Sequence, residues 1–248
     1  MNSIEVKILN PEEIKKAEQM LVFTARLTQR GHKIKDMSDL DELFKREYTD
    51  DLVNRLVNLN HVTIQKFGVI NIAVVGASRR FLAQITRHQN EVKFMSASLQ
   101  YSDYSGAADY VIPYEVLRTN TEEDYIKSCE RQMTKYAKYA KMLDNDSAGY
   151  LAPQCLRNIL IISATPFQLK HMISQRICHR NTTETRYVML KIWEELYKLS
   201  PNMFSIKTTG AGCQKGKCQE GAMCCGMPLG KNRGPKEILD EEFPLLAS

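Results

Sequence analysis

The sequence predicts an α+β fold in which a small antiparallel sheet packs with several helices. Only two short segments are rich in Val and Ile, as strands are. Six longer segments instead show helical spacing or helix start signals. The strands do not alternate regularly with helices, which argues against a sheet built from repeated βαβ units.

The first two elements are predicted to be helices. Residues 10–30 form the first, because Asn10 can cap it and Pro11 suits the first helical position. Residues 38–59 form the second. Ser38 is followed three residues later by an aspartate, which resembles a capping box.

A strand, a helix and a loop are predicted next. Residues 65–76 are rich in Val and Ile with partial alternation, which favours a strand. Residues 77–89 form a helix, since Phe81 and Ile85 recur at helical spacing. Residues 98–112 are rich in Ser, Tyr, Asp and Gly, which is typical of a loop.

The second half contains one more strand between helices. Residues 121–144 form a long helix that a preceding asparagine can cap, and residues 156–164 form a short apolar strand. Residues 166–178 form a helix opened by a proline, and residues 182–199 form another that ends before the next proline. From about residue 205 the chain is Gly-rich and Cys-rich, so we expect it to be mostly irregular.

Length and composition suit one folded domain over residues 1–248. The chain has 43% hydrophobic and 25% charged residues, both ordinary for a folded protein. No apolar run reaches the roughly 18 residues that a membrane helix needs. The first ten residues lack the features of an export signal, so we expect a cytoplasmic protein.

The charge balance argues against a binder of nucleic acid polymers. Thirty-four basic and 29 acidic residues give a net charge of +5, and no basic stripe stands out. Small anionic ligands remain compatible with this balance, because a few well-placed arginines are enough to bind a phosphate.

Gln84, Arg87 and His88 form one candidate binding group. Residues three and four apart share a helix face, so the three side chains are predicted to point the same way. An amide, a guanidinium and an imidazole together can hold a planar heterocycle or a phosphate. The alternative is a surface helix end, where Arg87 and His88 complement the helix dipole.

Arg176 is a second candidate, because it continues an apolar stripe formed by Leu169, Met172 and Ile173. An arginine on a buried face should pair with something anionic. The alternatives are a buried salt bridge, or a side chain whose aliphatic stem is buried while its guanidinium reaches solvent. His171, on a neighbouring face, reads by itself as a hydrogen-bonded structural histidine.

Seven cysteines are present, an odd number that argues against a disulfide framework in a chain that is not exported. Four of them cluster as Cys213, Cys218, Cys224 and Cys225, with the spacing C-x4-C-x5-C-C. This spacing is poor for tetrahedral zinc, so we predict no metal site. A Gly-rich cap with reduced thiols is favoured, and a zinc-bearing interaction protein is the alternative.

Several of these segments, taken in order, resemble the flavin-dependent thymidylate synthase (ThyX) family. The family signature is Arg-His-Arg, then a serine, then Arg-Tyr-Ser, and its counterparts here are RHQ at 87–89, Ser98, and QYS at 100–102. Upstream, LNHVTIQKF at 59–67 resembles the family's Gly-His-x-Thr/Ser segment. Downstream, LKHMISQRICHRNTTETR at 169–186 resembles the family helix that ends in Leu-Arg and a Glu-x-Arg-like pattern.

The resemblance implies a fold, a reaction and partners. The implied fold is an α+β homotetramer with active sites where subunits meet and FAD across the interface. The implied reaction is reductive methylation of dUMP to dTMP. Methylenetetrahydrofolate supplies the carbon and NADPH reduces the flavin. Neither a nucleic acid polymer nor a membrane is implied as a partner.

The resemblance also implies which residues contact each ligand. The nucleotide-contacting positions are Gln84, Arg87, Ser96, Ser98, Gln100 and Arg176. Among these, Arg176 and Ser98 are implied to be catalytic, and Arg176 would stabilise charge that develops on the uracil ring. The flavin-contacting positions are His61, Thr63, Arg87, His88, Gln89 and His171.

Three positions lack an arginine that the family pattern has. Gln89, Gln100 and Gly149 stand where the family has arginines, and each missing charge-assisted hydrogen bond is worth about 1.5–3 kcal/mol. Other cations, such as Lys93 or Arg157, could replace them. The alternative is a diverged paralogue that acts on another pyrimidine, or that only binds flavin and nucleotide.

Overall fold

The computed structural model describes residues 4–106 and 109–246, which contain four strands and eleven helices. The strands are β1 (Glu5–Ile8), β2 (Ile70–Ser78), β3 (Val92–Ser96) and β4 (Arg157–Ala164). The helices are α1 (Glu12–Arg30), α2 (Met37–Lys45), α3 (Asp50–Val57), α4 (Arg79–Ile85), α5 (Tyr114–Leu117), α6 (Glu122–Met142), α7 (Asn145–Gly149), α8 (Pro166–Arg176), α9 (Thr183–Leu199), α10 (Ile206–Thr209) and α11 (Pro235–Glu242). Short 3₁₀ turns lie at Gly31–Lys33, Val62–Gln65, Gly221–Met223 and Pro244–Leu246.

The strands form one antiparallel sheet in the order β1-β2-β4-β3. Alternate residues of the central strands are buried, and the paired Ile72 and Ile162 are both 0% exposed. Helix α9 contributes a fully buried face to the same core, where the Trp193 indole N–H donates to the Phe204 carbonyl at 2.8 Å. The predicted α+β class with a small antiparallel sheet is therefore confirmed.

The strand and the three helices predicted in the second half of the chain are confirmed as β4, α6, α8 and α9. Each element begins and ends within two residues of its predicted bounds. The asparagine predicted to cap α6 does not do so, because the N-cap is Thr121 and makes no side-chain cap hydrogen bond. Strands β1 and β3 were not predicted. Both are short edge strands that interleave charged with apolar residues, so neither resembles a buried strand in sequence.

The predicted cap of the first helix is wrong. Asn10 instead links the start of α1 to β2: its side chain accepts from the Asn71 backbone N–H at 2.8 Å and donates to the Val69 carbonyl at 3.0 Å. Strand β2 begins at Ile70, five residues later than predicted, and ends at Ser78.

The helix predicted over 38–59 is two helices, α2 and α3. Asp36, and not Ser38, caps α2 by accepting from the Asp39 backbone N–H at 3.1 Å. Thr49 caps α3 in the same way, accepting from the Leu52 N–H at 3.3 Å. A second cap inside the predicted helix starts a new helix, because it satisfies N–H groups that a continuous helix would bond internally.

The C-terminal region is more regular than predicted. Helix α11 begins at Pro235, a favoured first helical residue, and it buries Ile238 in the main core. Within residues 4–106 and 109–246, no helix combines the length and apolar character needed to cross a membrane.

Candidate active site

Helix α8 carries the residue at the centre of the candidate site. It starts directly after β4, because Thr165 accepts from a backbone N–H of the first turn at 3.3 Å and Pro166 occupies the first helical position. Three side chains with 0% exposure fix the helix on the core: Leu169, Met172 and Ile173. They lead to Arg176 in the last turn, which is half-buried.

Two neutral groups hold the Arg176 guanidinium. Its Nε donates to His88 Nε2 at 2.9 Å, and its Nη1 donates to Asn181 Oδ1 at 3.2 Å. No carboxylate in the described part of the chain forms an ion pair with it, so the alternative of a buried salt bridge is wrong. Burial, and then the charge of Arg87, lower the pKa of Arg176. A guanidinium held this way suits an anionic ligand.

His88 lies beyond the helix that was predicted to contain it. Helix α4 ends at Ile85, and the chain then turns through the exposed Arg87 to bring His88 to 9% exposure. Because Nε2 accepts from Arg176, the imidazole is neutral with its proton on Nδ1. Burial, followed by the charges of Arg176 and His171, lowers the pKa of His88 to about 4. The His171 ring centroid lies 6.1 Å from that of His88.

The depressed pKa predicts that stability falls in mild acid. Between pH 6.5 and about 4, the unfolded chain takes up a proton at His88 that the folded chain does not. The free energy of unfolding should therefore decrease as pH falls, by up to about 1.4 kcal/mol per pH unit. Urea unfolding of His88→Gln at several pH values should show a smaller decrease, because glutamine does not titrate.

His32→Gln is the matched control for this experiment. His32 is exposed in the 3₁₀ turn Gly31–Lys33, so its removal should leave the pH dependence as in the unmodified chain. Equal pH dependence in the His88→Gln variant and the unmodified chain would show that His88 does not resist protonation.

A buried lysine joins α8 to the turn Val62–Gln65. Lys170 is 5% exposed, and its ammonium donates to Gln65 Oε1, whose Nε2 donates to the Val57 carbonyl at 3.1 Å. Burial, and then the charge of Lys215, lower the pKa of Lys170 to about 7. This link positions the exposed Thr63, and the exposed His61 just before the turn, relative to α8.

A cavity of about 310 Å³ opens beside the end of α8. One wall is the segment from Ser174 to Asn181, which includes Arg176, and the other is the Cys-rich segment between Ala211 and Met227. The cysteines in its lining are Cys178, Cys213, Cys218, Cys224 and Cys225. Among the described residues, no group of three or more His, Cys, Asp or Glu side chains is arranged to hold a metal.

The serine-rich segment lies outside this cavity. Ser96 ends β3, and the Ser98 hydroxyl accepts from the Gln100 backbone N–H at 3.1 Å. Gln84 is half-buried on α4, while Gln89 and Gln100 are exposed. The described lining residues include Arg176 but none of these five, and neither His88 nor His171. His88 is joined to Arg176 by a hydrogen bond and His171 lies beside His88, whereas no hydrogen bond links the serine segment to Arg176 among the described residues.

Three features near the site were not predicted. Asn181 and Lys170 make hydrogen bonds that local periodicity cannot show, and the Lys170 contact spans 105 positions. The third is the Cys-rich wall of the cavity. Its clustered cysteines were a visible signal, but their position against α8 depends on tertiary packing.

A match to a protein-family model shows which family the chain belongs to. A model of the family described as thymidylate synthase complementing protein matches residues 11–202. The chain belongs to this family. The predicted resemblance to ThyX is thereby confirmed, and the Cys-rich segment after residue 202 lies outside the matched part.

Curated relatives carry a consistent name. The flavin-dependent thymidylate synthase of Clostridium tetani is 26% identical over 244 residues, which cover 90% of this chain and 93% of the relative. The flavin-dependent thymidylate synthase of Geobacter sulfurreducens is 23% identical over 195 residues, covering 75% and 82%.

Solved structures share the ThyX fold. The UMP/dUMP methylase PolB from Streptomyces cacaoi, bound with 5-Br dUMP, superposes with a TM-score of 0.63 at 14% identity, covering 85% of this chain and 97% of that one. Thymidylate synthase X from Helicobacter pylori, with FAD and dUMP, gives a TM-score of 0.58 at 15% identity, covering 82% and 100%. At these identities, the similarity establishes the fold.

Proposed function

We propose that this ThyX family member is a flavin-dependent thymidylate synthase. It converts dUMP to dTMP with methylenetetrahydrofolate as carbon donor and NADPH as reductant. The observation that carries the proposal is Arg176, a half-buried guanidinium held by a neutral imidazole and without a carboxylate partner in the described residues. Such a group stabilises negative charge on a bound heterocycle.

The donor set around α8 fits an anionic dinucleotide such as FAD. Arg87, Arg176 and Lys215 have no ion pair among the described residues, and the Lys215 ammonium donates to the Ser174 hydroxyl at 3.0 Å. Phosphates match such cations. The residues proposed to hold the flavin are His61, Thr63, Arg87, His88, Gln89 and His171. When bound, the flavin supplies the hydride of the reductive step.

The nucleotide is proposed to contact Gln84, Arg87, Ser96, Ser98, Gln100 and Arg176. Arg176 stabilises the uracil ring as it gains negative charge, while the neutral His88 fixes the orientation of the guanidinium. Ser98 is proposed to donate a hydrogen bond to the nucleotide. Since a neutral imidazole adds no charge of its own, the full cationic charge of Arg176 remains available to the substrate.

A homotetramer would reconcile these assignments with the fold. The serine segment lies outside the Arg176 cavity within one chain, so a second subunit is proposed to bring its serine segment to the site. A cytoplasmic location is part of the proposal.

A diverged substrate choice is the second candidate. Gln89 and Gln100 are exposed amides where the family has arginines, and Gly149 carries no side chain. PolB, which shares the fold, is named a UMP/dUMP methylase. The second candidate is therefore methylation of another pyrimidine nucleotide, with UMP as the first one to test.

A spectrum and a product assay test the proposal together. Purified protein should show flavin absorption that bleaches with NADPH, and with dUMP and methylenetetrahydrofolate it should form dTMP. It should also rescue a thymidine auxotroph. Bleaching with methylation of UMP but not dUMP would favour the second candidate. Protein that binds neither flavin nor dUMP would reject both.

A further inference from the structure

The Cys-rich wall is a feature that the proposed function does not use. Five cysteines line one cavity beside Arg176, and the described residues offer no arrangement suited to a metal. We propose that Cys218 and Cys224 form a redox-active dithiol in this wall, which small-molecule disulfides convert into an intramolecular disulfide.

The two thiols form a pair. Both side chains lie in the same wall of the cavity, where each thiol affects the ionisation of the other, and the Gly226 backbone N–H donates to Cys224 Sγ at 3.4 Å. Cys224 is exposed and Cys218 is partly exposed, so a small disulfide can reach them. The Gly226 N–H, and then Cys218, lower the pKa of Cys224. Cys224 is therefore the nucleophile of the pair, since the thiolate is the reactive form.

The loop that carries the pair is closed at its base. The Gly230 N–H donates to the Cys213 carbonyl at 2.8 Å, and the Gln214 side chain donates to the Arg233 carbonyl at 2.7 Å. Ser174 on α8 holds the same region, because its hydroxyl donates to the Gly210 carbonyl at 2.8 Å. The pair can therefore change its bonding within the loop while the base stays on α8.

The proposed chemistry is thiol–disulfide exchange with a low-molecular-weight disulfide. The Cys224 thiolate attacks one sulfur of the small disulfide and expels the other half as a thiolate, which takes up a proton. Cys218 loses its proton and attacks the mixed disulfide at the Cys224 sulfur, which releases the second half as a thiol. The protein dithiol is oxidised by two electrons, and one small disulfide is reduced to two thiols.

A second thiol pair in the fold serves as an internal control. The sulfurs of Cys129 and Cys155 are 3.4 Å apart, but Cys129 is buried. Burial, and then Cys129, raise the pKa of Cys155 to about 12. Proximity alone would favour oxidation of this pair, whereas exposure and thiolate formation favour Cys218 and Cys224.

Peptide mapping of the full-length protein tests the assignment. The reduced protein is treated with oxidised glutathione, alkylated with iodoacetamide, digested with trypsin and analysed by mass spectrometry. Cys218, Cys224 and Cys225 all lie in the tryptic peptide 218–231, so the disulfide should appear there as a loss of two hydrogens with one alkylated cysteine. In the reduced protein, Cys224 should alkylate at least about tenfold faster than Cys129 or Cys155.

Single variants separate the roles. Cys225→Ser should still form the disulfide, Cys218→Ser should accumulate glutathione on Cys224, and Cys224→Ser should form neither product in peptide 218–231. Three results would overturn the assignment: oxidation of Cys129 and Cys155 first, loss of the disulfide in Cys225→Ser, or bound zinc that protects peptide 218–231 from alkylation.

The effect on ligand binding rests on the proposed function. Since Cys218 and Cys224 line the cavity that contains Arg176, oxidation should change the dUMP dissociation constant at least about fivefold in the unmodified protein and leave it unchanged in the Cys218→Ser/Cys224→Ser variant. Equal affinity in both redox states would reject regulation by the dithiol. Absence of dUMP binding in either state would instead reject the proposed function, while the mapped disulfide would still stand.

Discussion

Arg176→Lys should reduce kcat/KM for dTMP formation by about 10²–10³-fold, while the protein stays folded and keeps its flavin. Lysine retains the positive charge but has no planar fork that can donate to His88 and Asn181 at once and still face a ligand. Loss of one preorganised electrostatic donor typically has an effect of this size. Steady-state kinetics with dUMP, together with the flavin absorption spectrum, provide the measurement.

Arg55→Lys is the matched control for this substitution. Arg55 lies on α3 and forms an exposed ion pair with Asp51, so the same chemical change there should leave the kinetics unchanged. A kcat/KM in Arg176→Lys within about twofold of the unmodified enzyme would show that the planar guanidinium is not required. Arg176 would then have to be regarded as a structural residue of the helix end.

The parts of the fold that were predicted well are those in which local signals agree. Helix α8 has a threonine cap, a proline at its first position and a continuous apolar stripe, and it was found within two residues of its ends. Helix α9 and strand β4 are similarly apolar over most of their length. Strand β1 shows no such signal, because it has only four residues and interleaves charged with apolar side chains. What fixes it as a strand is its pairing with β2, which spans more than 60 residues.

The candidate site was predictable only in part, because local sequence signals do not show which distant segments meet in the folded chain. The stripe on α8 placed Arg176 toward the protein interior, and the structure has it half-buried against His88. The identity of its partners depends on chain segments that meet only in the folded state. His88 was expected on a helix face, but it reaches Arg176 because α4 ends early and the chain turns. The contact between the Cys-rich segment and α8 likewise forms only when the chain folds, so the sequence alone did not show it.

Glu242→Gln should lower the free energy of unfolding at neutral pH by about 2–3 kcal/mol. The Glu242 carboxylate accepts from the guanidiniums of Arg186 and Arg233, each 8% exposed, and lies 3.4 Å from His179 Nε2. Although burial opposes ionisation, His179 and Arg186 hold the pKa of Glu242 at about 2. The amide keeps one acceptor oxygen but leaves the buried Arg186 without a counter-charge, and leaves Arg233 with the exposed Glu241 as its remaining carboxylate partner.

The same pKa shift fixes the pH window of this effect. A carboxylate with a depressed pKa contributes stability that is fully present above its ordinary pKa of 4.5 and is lost as pH falls toward about 2. Urea unfolding curves of the variant and the unmodified chain should therefore differ most at pH 7 and converge as pH falls through that window. This range lies below most of the range assigned to His88, so the two contributions can be separated.

Glu237→Gln provides the control on the same helix. Glu237 is exposed in the first turn of α11, so the substitution there should change stability by less than about 0.5 kcal/mol.

The Glu242 network also joins α11 to α9 and to His179 in the cavity wall. Limited proteolysis of Glu242→Gln should therefore cut first near residues 231–246. Equal free energies of unfolding and equal resistance to proteolysis in Glu237→Gln and Glu242→Gln would contradict this prediction. Contacts other than the buried charge network would then hold the C-terminal region in place.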